Sequence, residues 1–202
     1  SPEEEQGLVD PYKAGLVKEW GIKKFYLDDL YVRFFRIAEN RIAEGTGRGV
    51  VSFISNFSYI SDPSFVVMRQ RLLAGFDKIW IDCLNGDSRE TGKLTPDGKP
   101  DPSVFSTERN REGIRVGTAI GMFVKQSPAH EPNASVAFRQ FWGVTKRADL
   151  LASSDTSNIN AQYESGAPSI ENRFSLRPGT IGSAYYKWPR VADLCATHPS
   201  NG

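Results

Sequence analysis

The side chains of this chain that are best suited to joint chemistry lie near its carboxyl terminus, at residues 172–192. Basic and aromatic residues alternate in this segment, and it contains no acid. These residues are Arg173, Phe174, Arg177, Tyr185, Tyr186, Lys187, Trp188 and Arg190. Cations bind phosphates and aromatic rings stack on bases, so the composition favours a nucleic-acid contact. An ordinary solvated surface with aromatic rings tucked under it is an equal alternative.

A second polar group follows the run GVVSFISNF at residues 49–57. The run is rich in β-branched and aromatic residues, which is typical of a strand covered on both faces. The polar residues around its end are Ser55, Asn56, Ser58 and Tyr59. Ligands of open α/β sheets bind beyond the carboxyl ends of the strands, so this group marks a candidate ligand position. A plain strand-to-helix loop would explain it equally well.

Residues that commonly act as nucleophiles, bases or metal ligands are sparse. His130 and His198 each stand alone beside a proline, without metal-ligand spacing. Cys83 and Cys195 are far apart and outside any CxxC pair, so we expect two buried thiols and no disulfide framework. The sequence predicts no metal site.

The apolar pattern predicts alternating helices and strands, as in an α/β layer. Strands are predicted at residues 49–57, 77–84, 116–125 and 136–144, and helices at residues 27–43, 62–75 and 145–153. The first helix carries apolar residues at helical spacing from Leu27 through Leu30 and Phe34 to Ile42, which predicts a stripe facing the core. The first two strands should be parallel, since strand-helix-strand units are almost always parallel crossovers.

The connection at residues 86–115 is unusually long for a compact domain. Loops of this length are usually functional or disordered. Its six basic and six acidic residues cancel, so it is no polybasic patch. Phe105 stands out, because a large apolar ring in a Pro-, Ser- and Asp-rich segment gains little from burial unless the loop folds back. The ring either anchors the loop to the sheet or meets a ligand.

Composition sets the broad class of protein. The chain has 202 residues, 39% of them hydrophobic, and a net charge of +1, which suits one soluble domain with a real core. No apolar run approaches the roughly 20 residues of a membrane span, and the start SPEEEQ is acidic where a signal peptide is basic. We therefore expect a cytoplasmic protein without a membrane partner.

Several segments, taken in order, carry a family resemblance. DDLYVRFFRIAE, GVVSFISNFSYI, SFVVMRQRLL, FDKIWIDCLNG, VF and GTAIGMFVK resemble the second half of the catalytic domain of N6-adenine DNA methyltransferases of the Asn-Pro-Pro-Tyr class. Within that class the resemblance is to single-chain type ISP restriction-modification enzymes. The later segments FRQFWGVTKRADLL and YYKWPRVADL are similar to the extension toward target recognition.

The resemblance implies a fold and an organisation. Residues 1–125 would form the carboxyl-terminal half of a Rossmann-like, S-adenosylmethionine-dependent methyltransferase sheet. Residues 126–202 would form an irregular extension leading to a target-recognition region. The strand at residues 116–125 would be antiparallel, inserted beside the strand that precedes it.

The resemblance also implies site residues. Leu30 and Phe34 would border the adenine ring of S-adenosylmethionine. The target-base pocket would be walled by Asn56, Ser58, Tyr59 and Phe105. Phe105 would stack on an adenine flipped out of double-stranded DNA, because chemistry on a base requires its extrusion from the helix. The basic and aromatic residues at 173–190 would contact DNA.

Two parts of the family pattern are absent. These are the glycine-rich loop for the methionine end of the cofactor and the Asn-Pro-Pro-aromatic tetrapeptide that binds the adenine amino group. Because both lie upstream in the family, we expect this chain to be a piece of a longer protein, with the upstream half of the same domain as its partner. The isolated piece should hold no catalytic residue and should not methylate DNA. The alternative is a noncatalytic α/β domain that binds nucleic acid or a protein partner.

Overall fold

The computed structural model describes residues 7–127, 134–154, 159–179 and 188–189. The α-helices are α1 (Asp10–Lys13), α2 (Leu30–Ala38), α3 (Val66–Gly75) and α4 (Lys146–Ser153). The strands are β1 (Gly49–Asn56), β2 (Lys78–Asn85), β3 (Thr118–Lys125), β4 (Ser135–Gln140) and β5 (Glu164–Ser165). A π-helix at Glu39–Thr46 continues α2, and short 3₁₀ helices lie at Phe57–Ile60, Pro63–Phe65 and Ile159–Gln162.

The strands form one open, mixed sheet in the order β1-β3-β2-β4-β5. β3 is antiparallel to both β1 and β2, which confirms its predicted direction. Consequently β1 and β2 run the same way, as predicted, with β3 inserted between them. β4 pairs with β2 in parallel and β5 pairs with β4 antiparallel, so residues beyond 125 continue the same sheet. The structure is therefore a mixed α/β fold in which most strand pairs are antiparallel.

Aromatic packing joins α2 to one face of the sheet. The ring of Phe35 lies 5.1 Å from that of Phe53 in β1 and 5.3 Å from that of Phe123 in β3, measured between centroids. The Tyr59 ring lies 4.9 Å from Phe35 on the same side. Edge-to-face and tilted ring pairs of this kind add to the apolar burial that forms the core.

The orientation of α2 differs from the predicted stripe. Leu30 is 70% exposed and Phe34 is 55% exposed, whereas Val32 and Phe35 are buried. The segment LYVRFF is apolar on both sides, so helical spacing alone could not decide which side faces the core. The Phe35 ring cluster decides it and turns Leu30 and Phe34 outward. The helix also begins at Leu30, so Leu27 is buried without being helical.

The opposite face of the sheet is less covered. Because side chains alternate along a strand, Val50 and Ile54 of β1 lie on the face opposite Val51 and Phe53, and both are exposed. Met122 of β3, on the same face, is also exposed. Within the described residues β1 pairs on one side only, with β3. No helix in these ranges is long and apolar enough to cross a membrane.

Candidate functional site

The long connection after β2 is ordered by two buried aspartates. The first is Asp87, whose Oδ1 accepts hydrogen bonds of 2.6 Å from the backbone N–H groups of Arg89 and Glu90. Its Oδ2 accepts one of 2.8 Å from the N–H of Gly117, at the far end of the connection. One carboxylate thus ties the two ends of the loop together, and the segment needs no regular secondary structure to be held in place.

The second is Asp101, whose side chain is fully buried. Its Oδ2 accepts a hydrogen bond of 2.7 Å from the N–H of Gly86, and its Oδ1 accepts one of 2.7 Å from the N–H of Gly143. Oδ1 also lies 2.6 Å from Nζ of Lys146, which donates to the carbonyl of Leu84 as well. Burial lowers the pKa of Lys146, and the ion pair with Asp101 opposes that shift. The loop is therefore fastened to both β2 and α4.

This fastening forms a pocket of about 360 Å³ beside Phe105. Its walls come from the second face of the sheet, from the loop and from α4. The lining residues are Ile54, Leu84, Val104, Phe105, Ser106, Thr107, Ile120, Arg147, Leu150 and Leu151. Phe105 remains 42% exposed, so its ring is only partly used for anchoring the loop. The pocket lies at the carboxyl end of β1 and β2, where ligands of α/β sheets bind.

The lining determines what this pocket can do. Most of it is apolar, with two hydroxyl groups and one charge, that of Arg147. Its described lining includes no carboxylate, imidazole or thiol, and its apolar walls and the Phe105 ring can bind a flat, largely apolar ring. Across the described residues, no three histidine, cysteine or acidic side chains gather as metal ligands would.

Of the four predicted base-pocket residues, Phe105 alone lines this pocket. Asn56 caps the 3₁₀ turn after β1, where its Oδ1 accepts 2.9 Å hydrogen bonds from the N–H and the hydroxyl of Ser58. Tyr59 is fully buried in the core, and burial raises its pKa. Ser58 lines a separate cavity of about 250 Å³, together with Arg177 and others. The 3₁₀ turn after β1 explains why Tyr59 does not line the pocket beside Phe105, because the turn directs the Tyr59 ring into the core.

The predicted cofactor residues, Leu30 and Phe34, lie on the exposed side of α2. They do not line the pocket beside Phe105. Two large apolar side chains one helical turn apart therefore form a small apolar surface on the helix-covered side of the sheet. No partner in the described structure covers it.

The predicted DNA-binding residues have different surroundings. The Arg177 guanidinium lies 5.6 Å from the ring centroid of Phe57 and 5.9 Å from that of Phe138, so it packs against the protein. Arg173 has an exposed side chain, while its carbonyl accepts hydrogen bonds from the buried guanidinium of Arg69. Trp188 is exposed. The remaining four, Tyr185, Tyr186, Lys187 and Arg190, lie outside the described residues.

Sequence reasoning missed Arg147 and the two loop aspartates. Arg147 shares the segment KRADLL with Leu150 and Leu151, at the i, i+3 and i+4 spacing of one helix face, and this was the available signal. For Asp87 the signal was its place directly after Gly86 at the end of a strand. Asp101 had no such signal, because its partners come from positions 86, 143 and 146.

The structure belongs to the class of mixed α/β folds with an antiparallel strand inserted between two strands of common direction, and similar solved structures exist. No protein-family model matches the chain, and no curated protein matches it. It resembles part of the type ISP restriction-modification enzyme LlaGI, solved as a nuclease-deletion mutant with a DNA substrate mimic, with a TM-score of 0.65, 23% identity and 93% of this chain covered.

Two further solved structures are similar. The ATP-dependent type ISP restriction-modification enzyme LlaBIII, bound to DNA, gives a TM-score of 0.63 at 18% identity over 90% of this chain. The DrdV–DNA complex gives 0.59 at 19% identity over 85% of the chain. This chain spans only 12% to 15% of the length of these three proteins. The likeness therefore establishes a shared fold for one part of much larger proteins.

Proposed function

We propose that this chain is the carboxyl-terminal half of the catalytic domain of a site-specific DNA adenine-N6 methyltransferase in a restriction-modification system. The methyl donor is S-adenosylmethionine and the substrate is double-stranded DNA. One observation carries the proposal: Phe105 presents a partly exposed ring at an apolar pocket beyond the carboxyl ends of β1 and β2. The fold shared with type ISP enzymes supports it.

The pocket has the properties that an extruded base requires. A base that leaves the duplex loses its stacking neighbours, and an aromatic face lowers the cost of that loss. Phe105 supplies such a face, and Ile54, Ile120 and Leu84 supply apolar walls. The volume of about 360 Å³ lies at the lower end of small-ligand sites. A single purine is the natural occupant of a site of this size and lining.

The chemistry comes from another part of the protein. The described lining of the pocket includes no carboxylate, imidazole or thiol, and the proposed role of this chain is to supply a wall of the site. Leu30 and Phe34, exposed on α2, are the proposed wall for the adenine ring of S-adenosylmethionine. The remaining contacts to the cofactor are assigned to the upstream half of the domain.

Within the described residues, one edge of β1 has no neighbouring strand, and this supports assigning the remaining contacts to the upstream half of the domain. A strand edge with unpaired backbone groups readily takes up another strand. The β1 edge is flanked by the exposed apolar side chains of Val50 and Ile54 on one face of the sheet. On the helix-covered face lie Leu30 and Phe34. A strand of the upstream half that pairs with β1 would complete a Rossmann-like sheet and bring that half beside Leu30 and Phe34.

The test uses the full-length protein encoded by the gene that contains this sequence. Phe105→Ala should lower the rate of DNA methylation by roughly tenfold to a hundredfold, since base–aromatic stacking is worth about 1–3 kcal/mol. Phe105→Trp should retain much of the rate, because it keeps an aromatic face. Tyr26→Ala, which removes a ring that is 84% exposed elsewhere, is the matched control and should methylate normally.

Global stability should change little in Phe105→Ala, because the ring is already 42% exposed. Normal methylation by this variant would withdraw the stacking role. Unfolding before activity can be assayed would instead assign Phe105 to anchoring the loop.

A noncatalytic nucleic-acid or partner-binding domain is the second candidate, and the exposed apolar side chains of Leu30 and Phe34 on α2 favour a partner-binding surface. Transfer of labelled methyl groups from S-adenosylmethionine to DNA by the full-length protein separates the two. Binding of DNA without any methyl transfer would support the noncatalytic domain.

A further inference from the structure

Among the described residues that line the Phe105 pocket, Arg147 is the one charged side chain. It lies in the first turn of α4, on the same helix face as Leu150 and Leu151, which also line the pocket. The side of the pocket that α4 forms therefore combines apolar contacts with one cation. This combination differs from the apolar walls that the sheet contributes.

Arg147 has no acidic partner within the described residues. The nearest acid along the helix is Asp149, which accepts a 2.7 Å hydrogen bond from the Thr145 hydroxyl. Residues two apart on a helix do not face each other, so Asp149 is not placed to neutralise Arg147. The adjacent Lys146 is committed to Asp101 in the interior. An exposed arginine in the first helical turn also gains nothing from the helix dipole, which favours anions at that end.

A second observation concerns Ser106, which follows Phe105 and lines the same pocket. Its Oγ is buried and has no hydrogen-bond partner in the part of the chain that the structure describes. A buried hydroxyl without a partner costs free energy, so such groups are rare unless something completes them. The pocket thus offers one occupant an aromatic face and a guanidinium that has no acidic partner within the described residues.

We propose that Arg147 binds a phosphate group of the nucleotide whose base stacks on Phe105. The ligand class is a nucleoside monophosphate unit, carried by a DNA strand in the full-length protein. This assignment rests on the proposed base-binding role of the pocket and adds to it a residue that fixes the backbone beside the extruded base. Guanidinium is suited to this task because its planar donors match two phosphate oxygens at once.

The inference is tested with free nucleotides, so that no recognition sequence is needed. Ligand-observed NMR titration measures how tightly the full-length protein binds deoxyadenosine, its 3′-monophosphate and its 5′-monophosphate. One of the monophosphates should bind about fivefold to tenfold more tightly than deoxyadenosine, as one charge-assisted contact at a partly exposed site can provide. Inorganic phosphate at the same concentration should not displace it.

Four variants isolate the contact. Arg147→Gln should bind the monophosphate and deoxyadenosine equally well, and Arg147→Lys should keep part of the preference. Arg48→Gln should keep all of it, because Arg48 is an exposed arginine just before β1, at the strand end opposite the pocket. Phe105→Ala should weaken both ligands while preserving their ratio, since it removes the stacking surface alone.

The outcomes separate this inference from the function on which it rests. If deoxyadenosine binds and depends on Phe105 but the phosphate adds nothing, Arg147 is no phosphate ligand and the base pocket stands. If Arg147→Gln keeps the preference, the phosphate is bound elsewhere and the assignment is wrong. If inorganic phosphate displaces the nucleotide fully, Arg147 holds an adventitious ion only. If neither ligand binds, or Phe105→Ala changes neither, both proposals fall.

Discussion

Replacing Asp101 by alanine should be among the most destabilising single changes in this chain. The Asp101 carboxylate is fully buried and accepts three short contacts, from the N–H groups of Gly86 and Gly143 and from Nζ of Lys146. Phe105 lies four residues further along the same loop. The variant therefore tests what holds the Phe105 pocket together.

The expected loss follows from the partners that Asp101→Ala leaves behind. Lys146 is almost fully buried and would lose its counter-ion, and breaking a buried pair in this way costs about 3–5 kcal/mol. Two backbone N–H groups would also lose their acceptor, at about 1–3 kcal/mol each if water cannot reach them. Gly143 is half-buried, so water offsets part of that cost. We expect a net loss of at least about 4 kcal/mol in the free energy of unfolding.

A second substitution identifies the source of this loss. In the Asp101→Ala background, Lys146→Met removes the stranded charge and should restore about 1–3 kcal/mol. In the wild-type background, the same Lys146→Met should destabilise the protein. The sign of the effect of one substitution thus depends on whether Asp101 is present.

Urea unfolding, followed by circular dichroism at neutral pH, measures these free energies in the four proteins of the cycle. Asp97→Ala is the matched control, because the Asp97–Lys99 ion pair lies in the same loop but is exposed; it should change stability by less than about 0.5 kcal/mol. A loss below about 1 kcal/mol for Asp101→Ala would refute the argument. So would further destabilisation by Lys146→Met in the Asp101→Ala background.

Two further predictions concern pH and the cofactor. Burial raises the pKa of Tyr12, Tyr31 and Tyr59 above the unfolded value of about 10. Their contribution to the free energy of unfolding is therefore complete below pH 10, and it is lost as pH rises further because the unfolded chain then ionises more readily than the folded one. Above the unfolded pKa, stability should fall by about 1.4 kcal/mol per pH unit for each tyrosine. Urea midpoints that do not fall between pH 10 and 11.5 would contradict this. For S-adenosylmethionine, calorimetry on this chain alone should detect negligible affinity, because Leu30 and Phe34 offer one apolar wall and no polar contacts. Tight binding would mean that the cofactor site has been misplaced.

The sequence by itself determined most of the regular elements. Strands predicted at residues 49–57, 77–84 and 116–125 are found within two residues of those limits, because continuous apolar runs bounded by turn residues have few alternatives. Asp62 is the first residue of the helix predicted at residues 62–75, and its Oδ1 accepts a 2.8 Å hydrogen bond from the N–H of Ser64. Such features depend on neighbours within a few residues, so a local pattern is sufficient to find them.

The tertiary structure alone decided which side of α2 faces the core. LYVRFF is apolar on two sides, and only the contact of Phe35 with Phe53 and Phe123 selects one of them. The choice leaves Phe34 exposed and available as the proposed cofactor wall. The physical reason is that burial is settled by partners about 20 to 90 positions away, which no periodicity records.

The same holds for the pocket. The sequence singled out Phe105 as an unusual ring in a polar loop, but it gave no indication that Arg147 would lie beside it. They share one pocket because Asp101 fastens the loop to Gly86 at the end of β2 and to Lys146 in α4. These bonds join groups 15 and 45 positions apart, and only folding brings them within hydrogen-bonding distance. Phe105 was therefore predictable from local composition. Its neighbours in the pocket were not, because the buried contacts of Asp101 join distant parts of the chain.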